Sequence, residues 1–380
     1  MTKSIMAVFW LCSVLTGYVY FMYPVIITRM SRKLGNDFHK KEILPEVSIV
    51  ITAYNEELSI AGKIENTLAL DYPRERMEVI IGSDGSTDGT NEIVRSFEGE
   101  GVKLAAFPHN RGKTMVQNDC VREASHGIIV FMDAASLCEK DSLKKLVSNF
   151  ADPRIGAVAG RVVFTKSKDN LTTESQGLYW KYEQILKKAE SSLGSLVGVD
   201  GPLYAIRKEL YNTLDEDMMS DFISPLLVIK GGHCVVYEPE AVTYEEATTR
   251  PSDELKTRRR IVTRGFTGLS RYPELINPAV RPLLAWQIIS HKVLRWLVGF
   301  YYIGMLLSSV LLITRWFFLL AFGGLALVLG LSYYGFHAMD RPRKLFTIPY
   351  YFILVNLAAA LGSLDYLRGR KVISWKPVRE

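Results

Sequence analysis

Acidic and small polar residues follow two apolar segments in the first quarter of this 380-residue chain. The run VSIVIT at 47–52 leads into Tyr-Asn-Glu at 54–56, and the run VII at 79–81 leads into Ser-Asp-Gly-Ser-Thr-Asp-Gly at 83–89. Short β-branched runs of this kind are typical of strands buried on both faces of a parallel sheet. Ligands of open α/β sheets bind beyond the carboxyl ends of the strands, so both clusters are expected to face one crevice. The pattern predicts a nucleotide-binding site.

Three side chains are suited to a nucleotide and its phosphates. Asp84, just past its strand, could accept hydrogen bonds from a base or ribose, although an aspartate there also fits an Asx turn. Lys113 follows Gly112 and could reach a diphosphate as a point charge; the alternative is a solvated lysine at the start of a helix. Asp133 ends an apolar run and is the best candidate ligand for Mg²⁺ or Mn²⁺, which bind carboxylates together with substrate phosphates.

Two arginines lie four residues apart in a strongly charged segment, 253–269, that is predicted to be a helix. Arg260 and Arg264 would therefore share one face of that helix. Guanidinium groups so placed could bind a diphosphate or close over the bound molecule. The alternative is a cationic face that touches lipid headgroups.

Strand and helix patterns alternate around these candidates. The predicted strands are 47–52, 79–81, 102–107, 128–132 and 156–164, and the predicted helices include 114–124, 143–150 and 174–191. Alternation of this kind indicates an α/β sheet in a single soluble domain that begins at Pro45. His109, His126 and His233 form no metal-ligand set, and the four scattered cysteines are expected to be reduced.

The amino-terminal motifs resemble those of the family-2 glycosyltransferases. Tyr-Asn-Glu at 54–56, Asp-Gly-Ser-Thr-Asp-Gly-Thr at 84–90 and His-Asn-Arg-Gly-Lys at 109–113 match three segments of that family. Asp-Ala-Ala-Ser at 133–136 stands in the place of its Asp-x-Asp metal motif. The resemblance covers 45–271 and implies a cytoplasmic catalytic domain with the GT-A fold, a Rossmann-like α/β mixed sheet that binds nucleotide sugars. It also implies that Ala53, Tyr54 and Glu56 help Asp84 to bind the donor.

Two downstream segments are similar to the acceptor side of membrane-bound members. Gly-Val-Asp-Gly-Pro at 198–202 looks like their glycine turn, so Asp200 and Gly201 are placed near the acceptor, although Asp200 could instead stabilise the turn. Asp221 stands where these enzymes carry their catalytic base, and burial would raise its pKa toward a useful value. The alternative for Asp221 is a helix N-cap.

Three departures from the family pattern bear on function. Ala135 replaces the second acidic or amide residue of the metal motif, which weakens metal binding unless Ser136 or water substitutes. Ser220 replaces an acidic neighbour of the base. Polymerising relatives often carry Gln-x-x-Arg-Trp near the basic helix, whereas this chain reads Ile-Val-Thr-Arg-Gly at 261–265, and this difference weakens any claim of processive synthesis.

Four segments without charge, 5–28, 296–314, 316–339 and 345–364, are each about long enough to cross roughly 30 Å of hydrocarbon. We expect an amino-terminal anchor at 1–30, an interfacial helix at 283–292, about three transmembrane helices within 293–365 and a basic tail at 366–380. Basic residues that follow the first span place the central domain in the cytoplasm. Four full spans would put the basic tail outside, against this rule, so one carboxyl-side segment could be interfacial or re-entrant.

The sequence predicts a membrane-anchored inverting glycosyltransferase that moves a sugar from a nucleotide sugar, expected to be a UDP-sugar, to a lipid-linked or polysaccharide acceptor. The alternatives are a processive polysaccharide synthase that extrudes its product, and a catalytically weak scaffold among the partner subunits of an exopolysaccharide assembly. A net charge of +6, concentrated near the membrane-proximal ends, suits anionic lipids rather than nucleic acid. A transporter is disfavoured because the spans contain hardly any ionisable residues.

Overall fold

The fold is described from a computed structural model that covers residues 2–165, 171–246, 250–337 and 344–372. Most of the predicted basic tail at 366–380 lies outside the described residues, as do Met1 and the segment 338–343.

One eight-stranded mixed sheet forms the centre of the domain, with the strand order β3-β2-β1-β4-β7-β6-β8-β5. Strands β3, β2, β1 and β4 run parallel, β7 is antiparallel to both β4 and β6, and β8 is parallel to β6. The strands are β1 Val47–Ala53, β2 Met77–Asp84, β3 Val102–Phe107, β4 Ile128–Asp133, β5 Leu137–Cys138, β6 Ile155–Thr165, β7 Leu203–Arg207 and β8 Cys234–Glu246. The predicted α/β class and mixed sheet are confirmed.

Helices cover both faces of this sheet, which explains why β1 is buried along its whole length. Successive β1 side chains enter different cores: Val50 packs in one, and Ile49 and Ile51 pack in the other. This alternation is the period of two that a strand imposes. The helices of the domain are α3 Ile60–Leu68, α4 Thr90–Ser96, α5 Lys113–Glu123, α6 Ser142–Val147, α7 Leu171–Ser192, α8 Ser220–Lys230 and α9 Pro251–Arg271.

The apolar segments form helices at both ends of the chain. At the amino end, α1 Thr2–Gly17 continues through a π-helical stretch, Tyr18–Met22, into α2 Tyr23–Leu34. The carboxyl-side helices are α10 Pro282–Ile288, α11 Leu294–Trp296, α12 Val298–Leu311, α13 Trp316–His337 and α14 Lys344–Leu367. Three helical stretches among the described residues, Thr2–Leu34, Trp316–His337 and Lys344–Leu367, are long and apolar enough to cross a membrane.

The predicted span at 296–314 differs from the structure. Its helix, α12, has only 14 residues and is bent by 55° from the preceding stretch Pro282–Trp296, so it makes a fourth span only if this bent pair counts as one. The predicted interfacial helix at 283–292 corresponds to α10 and a π-helical turn, Ile289–Val293. Leu284 and Ile288 in this segment belong to one of the two hydrophobic cores of the sheet domain, so the segment packs on protein.

The last helix, α14, lies against α9. Arg259 forms an ion pair with Asp365, and Tyr351 donates a hydrogen bond of 2.9 Å to Glu254 Oε1. The Thr263 hydroxyl donates to the carbonyl oxygen of Gly362 at 3.1 Å. A methyl group on Gly362 would lie 2.5 Å from the Arg259 carbonyl oxygen, so glycine allows the two helix backbones to approach closely.

Candidate active site

The loops that follow β1 and β2 are joined by short polar contacts. Asn55 has a left-handed backbone, with φ of 54°, and its Oδ1 accepts a hydrogen bond of 2.8 Å from the Thr87 N–H. Glu57 Oε2 accepts from the Gly89 N–H at 2.9 Å, and Asp88 Oδ2 accepts from the Glu57 N–H at 3.1 Å. The two acidic clusters therefore lie side by side at one edge of the sheet, and Asp88 has a turn-stabilising role.

Asp84 is buried at the end of β2 and binds the backbone that leads to Lys113. Its Oδ1 accepts from the Arg111 N–H at 2.7 Å and its Oδ2 accepts from the Gly112 N–H at 2.9 Å. Burial raises the pKa of Asp84, although these two N–H groups oppose the rise. Gly112 has φ of +89°, which glycine adopts without strain.

Three other residues predicted to bind the donor lie at the end of β1, the strand that pairs with β2, and they differ in exposure. Ala53 is the buried last residue of β1, and Tyr54 is half-buried in the turn that follows. Glu56 is buried, its N–H donates to Thr90 Oγ1 at 2.9 Å, and its carboxylate accepts from Ser59 Oγ at 2.5 Å. These bonds fix the turn between β1 and α3.

Three charged side chains meet around Gly201, which lies in the predicted acceptor turn at 198–202. Lys113 donates a hydrogen bond to Asp133, and Asp221 approaches from the start of α8. A methyl group on Gly201 would lie 2.9 Å from Asp221 Oδ2, 3.1 Å from Lys113 Nζ and 3.6 Å from Asp133 Oδ2. We call Lys113, Asp133 and Asp221 the charged cluster. Burial disfavours charge on Lys113, but the nearby carboxylates of Asp133 and Asp221 outweigh it and raise the pKa of Lys113.

Asp221 has the properties required of a proton acceptor. Burial raises the pKa of its carboxyl group, Asp133 raises it further, and Lys113 and Arg264 oppose the rise. Its Oδ1 has no hydrogen-bond partner within the described part of the chain. The residue before α8 is Met219, so Asp221 stands inside the first turn of the helix and is not its N-cap.

The predicted metal motif at 133–136 has one carboxylate, that of Asp133. Ser136 does not replace the oxygen missing at Ala135, because its hydroxyl is buried and donates to the Asp133 carbonyl oxygen at 2.9 Å. Among the described residues, no three His, Cys, Asp or Glu side chains form a metal site. Asp133 is half-buried, and one such carboxylate fits Mg²⁺ or Mn²⁺ when substrate phosphates and water supply the other ligands.

A buried lysine that we did not predict supports the same turn. Lys63 on α3 has no exposed surface and donates to the Ser136 carbonyl oxygen at 2.8 Å. Burial lowers its pKa. The signal was present in the sequence, because Lys63 occupies a core-facing position between Ile60, Ile64 and Thr67 in the helical period.

The two predicted arginines have different surroundings. The guanidinium of Arg264 donates to the carbonyl oxygens of Glu216, at 3.1 Å, and Met218, and also to Thr114 Oγ1. It therefore holds the segment that precedes Asp221. For Arg260, burial lowers the pKa, while the negative charges of Asp221 and Asp133 oppose that change. The negative charges of the cluster thus act on Arg260 as well as on Arg264.

Asp200 belongs to a turn that contacts both the cluster and α7. Gly198 has φ of +89°, and the Val199 N–H donates to the Asp221 carbonyl oxygen at 2.9 Å. The carboxylate of Asp200 forms an ion pair with Lys187 on α7. Sequence reasoning missed Lys187, because no local motif connects it to a turn thirteen residues away.

The structure brings most of the predicted site residues to one edge of the sheet. Asp84 and Lys113 are joined through the 111–112 backbone, and Asp133, Asp221 and Gly201 surround the Lys113 ammonium. The arrangement offers buried positive charge, a proton acceptor and an ordered turn close together. Such a site can stabilise a departing anion while it removes a proton from an attacking hydroxyl group.

Residues 48–214 match the family model described as glycosyl transferase family 2. The chain is 26% identical over 246 residues to poly-beta-1,6-N-acetyl-D-glucosamine synthase of Staphylococcus aureus (strain COL). The matched region is 63% of this chain and 58% of that protein. The chain is 25% identical over 205 residues to the enzyme of the same name from Staphylococcus epidermidis, which is 52% of this chain and 49% of that protein. The matched regions thus span only about half of each relative's length.

Among solved structures, the chain is similar to the mannosyltransferase PcManGT from Pyrobaculum calidifontis, which was determined in complex with GDP-Man and Mn²⁺. The TM-score is 0.72 at 20% identity, and the match covers 98% of this chain and 100% of that chain. This likeness confirms the expected fold. The chain thus has the GT-A fold of glycosyltransferases, and its residues 48–214 match glycosyl transferase family 2.

Proposed function

We propose that this enzyme transfers a sugar from a nucleotide sugar to a lipid-linked or polysaccharide acceptor, with inversion at the anomeric carbon. The observation that carries this proposal is the charged cluster at Gly201. The Asp221 carboxylate and the Lys113 ammonium both lie within 3.1 Å of the position that a methyl group on Gly201 would occupy. The cluster stands between the loops after β1 and β2, which would hold the donor, and the turn at 198–201, which would face the acceptor.

Asp221 is the proposed general base. Its carboxylate accepts the proton of an acceptor hydroxyl group as that oxygen attacks the anomeric carbon of the donor. The new carbon–oxygen bond forms while the bond from the anomeric carbon to the phosphate oxygen breaks, and the nucleoside diphosphate departs with the electron pair. A single displacement with one base inverts the configuration at carbon.

Positive charge near the cluster would stabilise the departing diphosphate. Lys113 donates a hydrogen bond to Asp133, and the negative charges of Asp221 and Asp133 act on Arg260. Asp133 would hold Mg²⁺ or Mn²⁺ together with the diphosphate, and the ion supplies Lewis-acid stabilisation of the leaving group when bound. Arg264 contributes by fixing the segment before Asp221 through its bonds to Glu216 and Met218.

The donor is proposed to lie on the loops after β1 and β2. Asp84 and Tyr54 would face the base and ribose, and Ala53 and Glu56 would shape the floor of the crevice. UDP is the expected nucleotide, since the Staphylococcus relatives are named for a polymer of N-acetyl-D-glucosamine. GDP remains in the test panel, because the similar archaeal mannosyltransferase was solved with GDP-Man.

A processive synthase is the second candidate, and the names of the curated relatives favour it. The sequence at 261–265, without glutamine or tryptophan, favours single transfer. Product length on a labelled acceptor separates the two functions, because a processive enzyme makes long products while most acceptor is still unused.

We further propose that the catalytic domain lies on the cytoplasmic face of the cell membrane and that α14 lies along this face. Helix α9 carries many charged side chains, among them Arg258, Arg259 and Arg260, which are costly to place in hydrocarbon. Since α14 is paired with α9 from Tyr351 to Asp365, it is held at the same depth relative to the membrane as α9. Spans formed by α1, α12 and α13 would then leave the basic tail on the cytoplasmic side, as the positive-inside rule requires.

The deciding experiment is nucleotide release from a panel of UDP- and GDP-sugars by the full-length protein in lipid, with Mg²⁺, Mn²⁺ or chelator. Asp221→Asn is the inactive variant, and Asp215→Asn, which alters an exposed carboxylate, is its matched control. Metal-dependent release that only Asp221→Asn abolishes supports the proposal and identifies the donor. Nucleotide binding without release, with every donor and acceptor tested, would favour the scaffold role instead.

A further inference from the structure

Helix α7 presents three charged residues on one face. Glu183, Lys187 and Glu190 are spaced by four and three residues, so they follow one another along the helix surface. All three are buried, with side-chain exposures of 6%, 9% and 0%. Charged side chains are rarely buried without partners, and each of these has a partner outside α7.

Lys187 is paired with Asp200 of the acceptor turn. The ammonium also lies 5.6 Å from the ring centroid of Trp180 and 5.8 Å from that of Tyr237, within the range of cation–π attraction. The aromatic rings and the carboxylate together compensate the lysine charge for its loss of water. Separating the two partners of such an ion pair would leave an uncompensated buried charge, so Lys187 and Asp200 are expected to stay in contact.

Glu190 holds the other end of the same turn. Its Oε2 accepts a hydrogen bond of 3.2 Å from the Val197 N–H, and Lys187 holds the turn three residues later at Asp200. Gly201 follows at once and lies against the charged cluster, where a side chain would contact Asp221 and Lys113. Helix α7 thus sets the distance between this turn and the proposed base.

We propose that Lys187 is a positioning residue for the acceptor, an inference that rests on the proposed transferase function. Its ammonium orients the Asp200 carboxylate, which retains 17% side-chain exposure, so that a free lone pair of that carboxylate accepts a hydrogen bond from a hydroxyl group of the acceptor sugar. The same contact keeps Gly201 against Asp221. Among the described residues, the contacts of the Lys187 ammonium are with Asp200, Trp180 and Tyr237, on the proposed acceptor side.

The test compares acceptor-dependent transfer with donor hydrolysis in the absence of acceptor. Lys187→Met should raise the KM for acceptor or lower transfer kcat/KM by about tenfold to a hundredfold, the range for one charge-assisted hydrogen bond, while donor hydrolysis stays within about twofold. Lys187→Arg should recover part of the loss. Lys188→Met removes the neighbouring exposed lysine and is the matched control, which should behave as wild type.

Hydrogen–deuterium exchange of the 195–204 region gives a readout that does not need activity. Lys187→Met should exchange faster there than wild type and Lys188→Met. The positioning role would be overturned if Lys187→Met lost donor hydrolysis and transfer equally. It would also be overturned if this variant changed neither the transfer rate nor the exchange rate. If the wild-type protein releases nucleotide from none of the donors, the proposed function itself fails. This result differs from a failure of the positioning role, because it does not depend on Lys187.

Discussion

The two sides of the site, which we propose to be a donor side and an acceptor side, are built differently. The loops after β1 and β2 are fixed by short side chains and backbone N–H groups, such as those joining Asn55 to Thr87 and Asp84 to Gly112. The turn at 198–201 is instead fixed by buried charges from α7, with Lys187 bound to Asp200 and Glu190 bound to the Val197 N–H. The donor side is therefore held by contacts between neighbouring loops, and the acceptor side by a distant helix.

The difference predicts which side tolerates change. A hydrogen bond between neutral groups contributes about 0.5–1.5 kcal/mol and one to a carboxylate about 1.5–3 kcal/mol, and the loops after β1 and β2 are joined by several such bonds. Removing one partner of a buried ion pair costs about 3–5 kcal/mol, because the other charge remains buried. We therefore expect a single substitution to disturb the acceptor side more than the donor side.

Asp221→Asn should give the largest effect, since it removes the proton acceptor where the two sides meet. We expect transfer kcat to fall by about 10²- to 10⁴-fold, the usual contribution of a positioned base. Nucleotide binding measured by calorimetry should remain close to wild type, and a matching loss of binding would show that Asp221 serves the donor instead.

Lys113→Met should give the next largest effect, because it leaves Asp133 and Asp221 without the ammonium that separates them. We expect the KM for donor to rise by more than about tenfold, as for the loss of a charged hydrogen bond. Steady-state kinetics with variable donor checks this, and Lys113→Arg should recover part of the activity. Unchanged donor kinetics would place the diphosphate elsewhere.

Asp84→Asn tests the donor side alone. Asparagine has one acceptor oxygen, so one of the N–H groups of Arg111 and Gly112 loses its partner. We expect nucleotide affinity to fall by about threefold to thirtyfold, with the acceptor KM unchanged. Titration calorimetry of the nucleoside diphosphate measures the first quantity, and a shift confined to the acceptor KM would contradict the division into two sides.

The effect expected to be smallest near neutral pH concerns the pH dependence of transfer kcat, which should begin to fall at a higher pH than an exposed aspartate would give. The pKa of Asp221 is raised above its ordinary 3.8, so the base is protonated, and inactive, at a higher pH than an exposed aspartate. Transfer kcat should fall as the pH is lowered through that raised pKa and recover when the pH is restored. Circular dichroism excludes unfolding, and activity that persists down to pH values near 3.8 would rule out the buried base.

The parts of this site that lie within short motifs could be predicted from the sequence. Asp84 and Asp133 follow apolar runs that are strands by composition, and strand ends fix where such side chains stand. The helical period of α3 could have shown that Lys63 is buried, but the partners of Lys63 and Lys187 could not be assigned, because only packing brings them together. The bend before α12 was missed for a related reason: the stretch Pro282–Trp296 is apolar but is buried by the domain rather than by lipid.

The pairing of α14 with α9 has a practical consequence for anyone who wishes to isolate the catalytic domain. A fragment ending at Arg271 would retain α9 but lose the helix that covers it, exposing Val262 and leaving Arg259 without Asp365. Such a fragment would be prone to aggregate in water, however sensible its boundary looks in the sequence. Detergent or nanodisc preparations of the whole chain are the proper starting material for crystallisation and for kinetics.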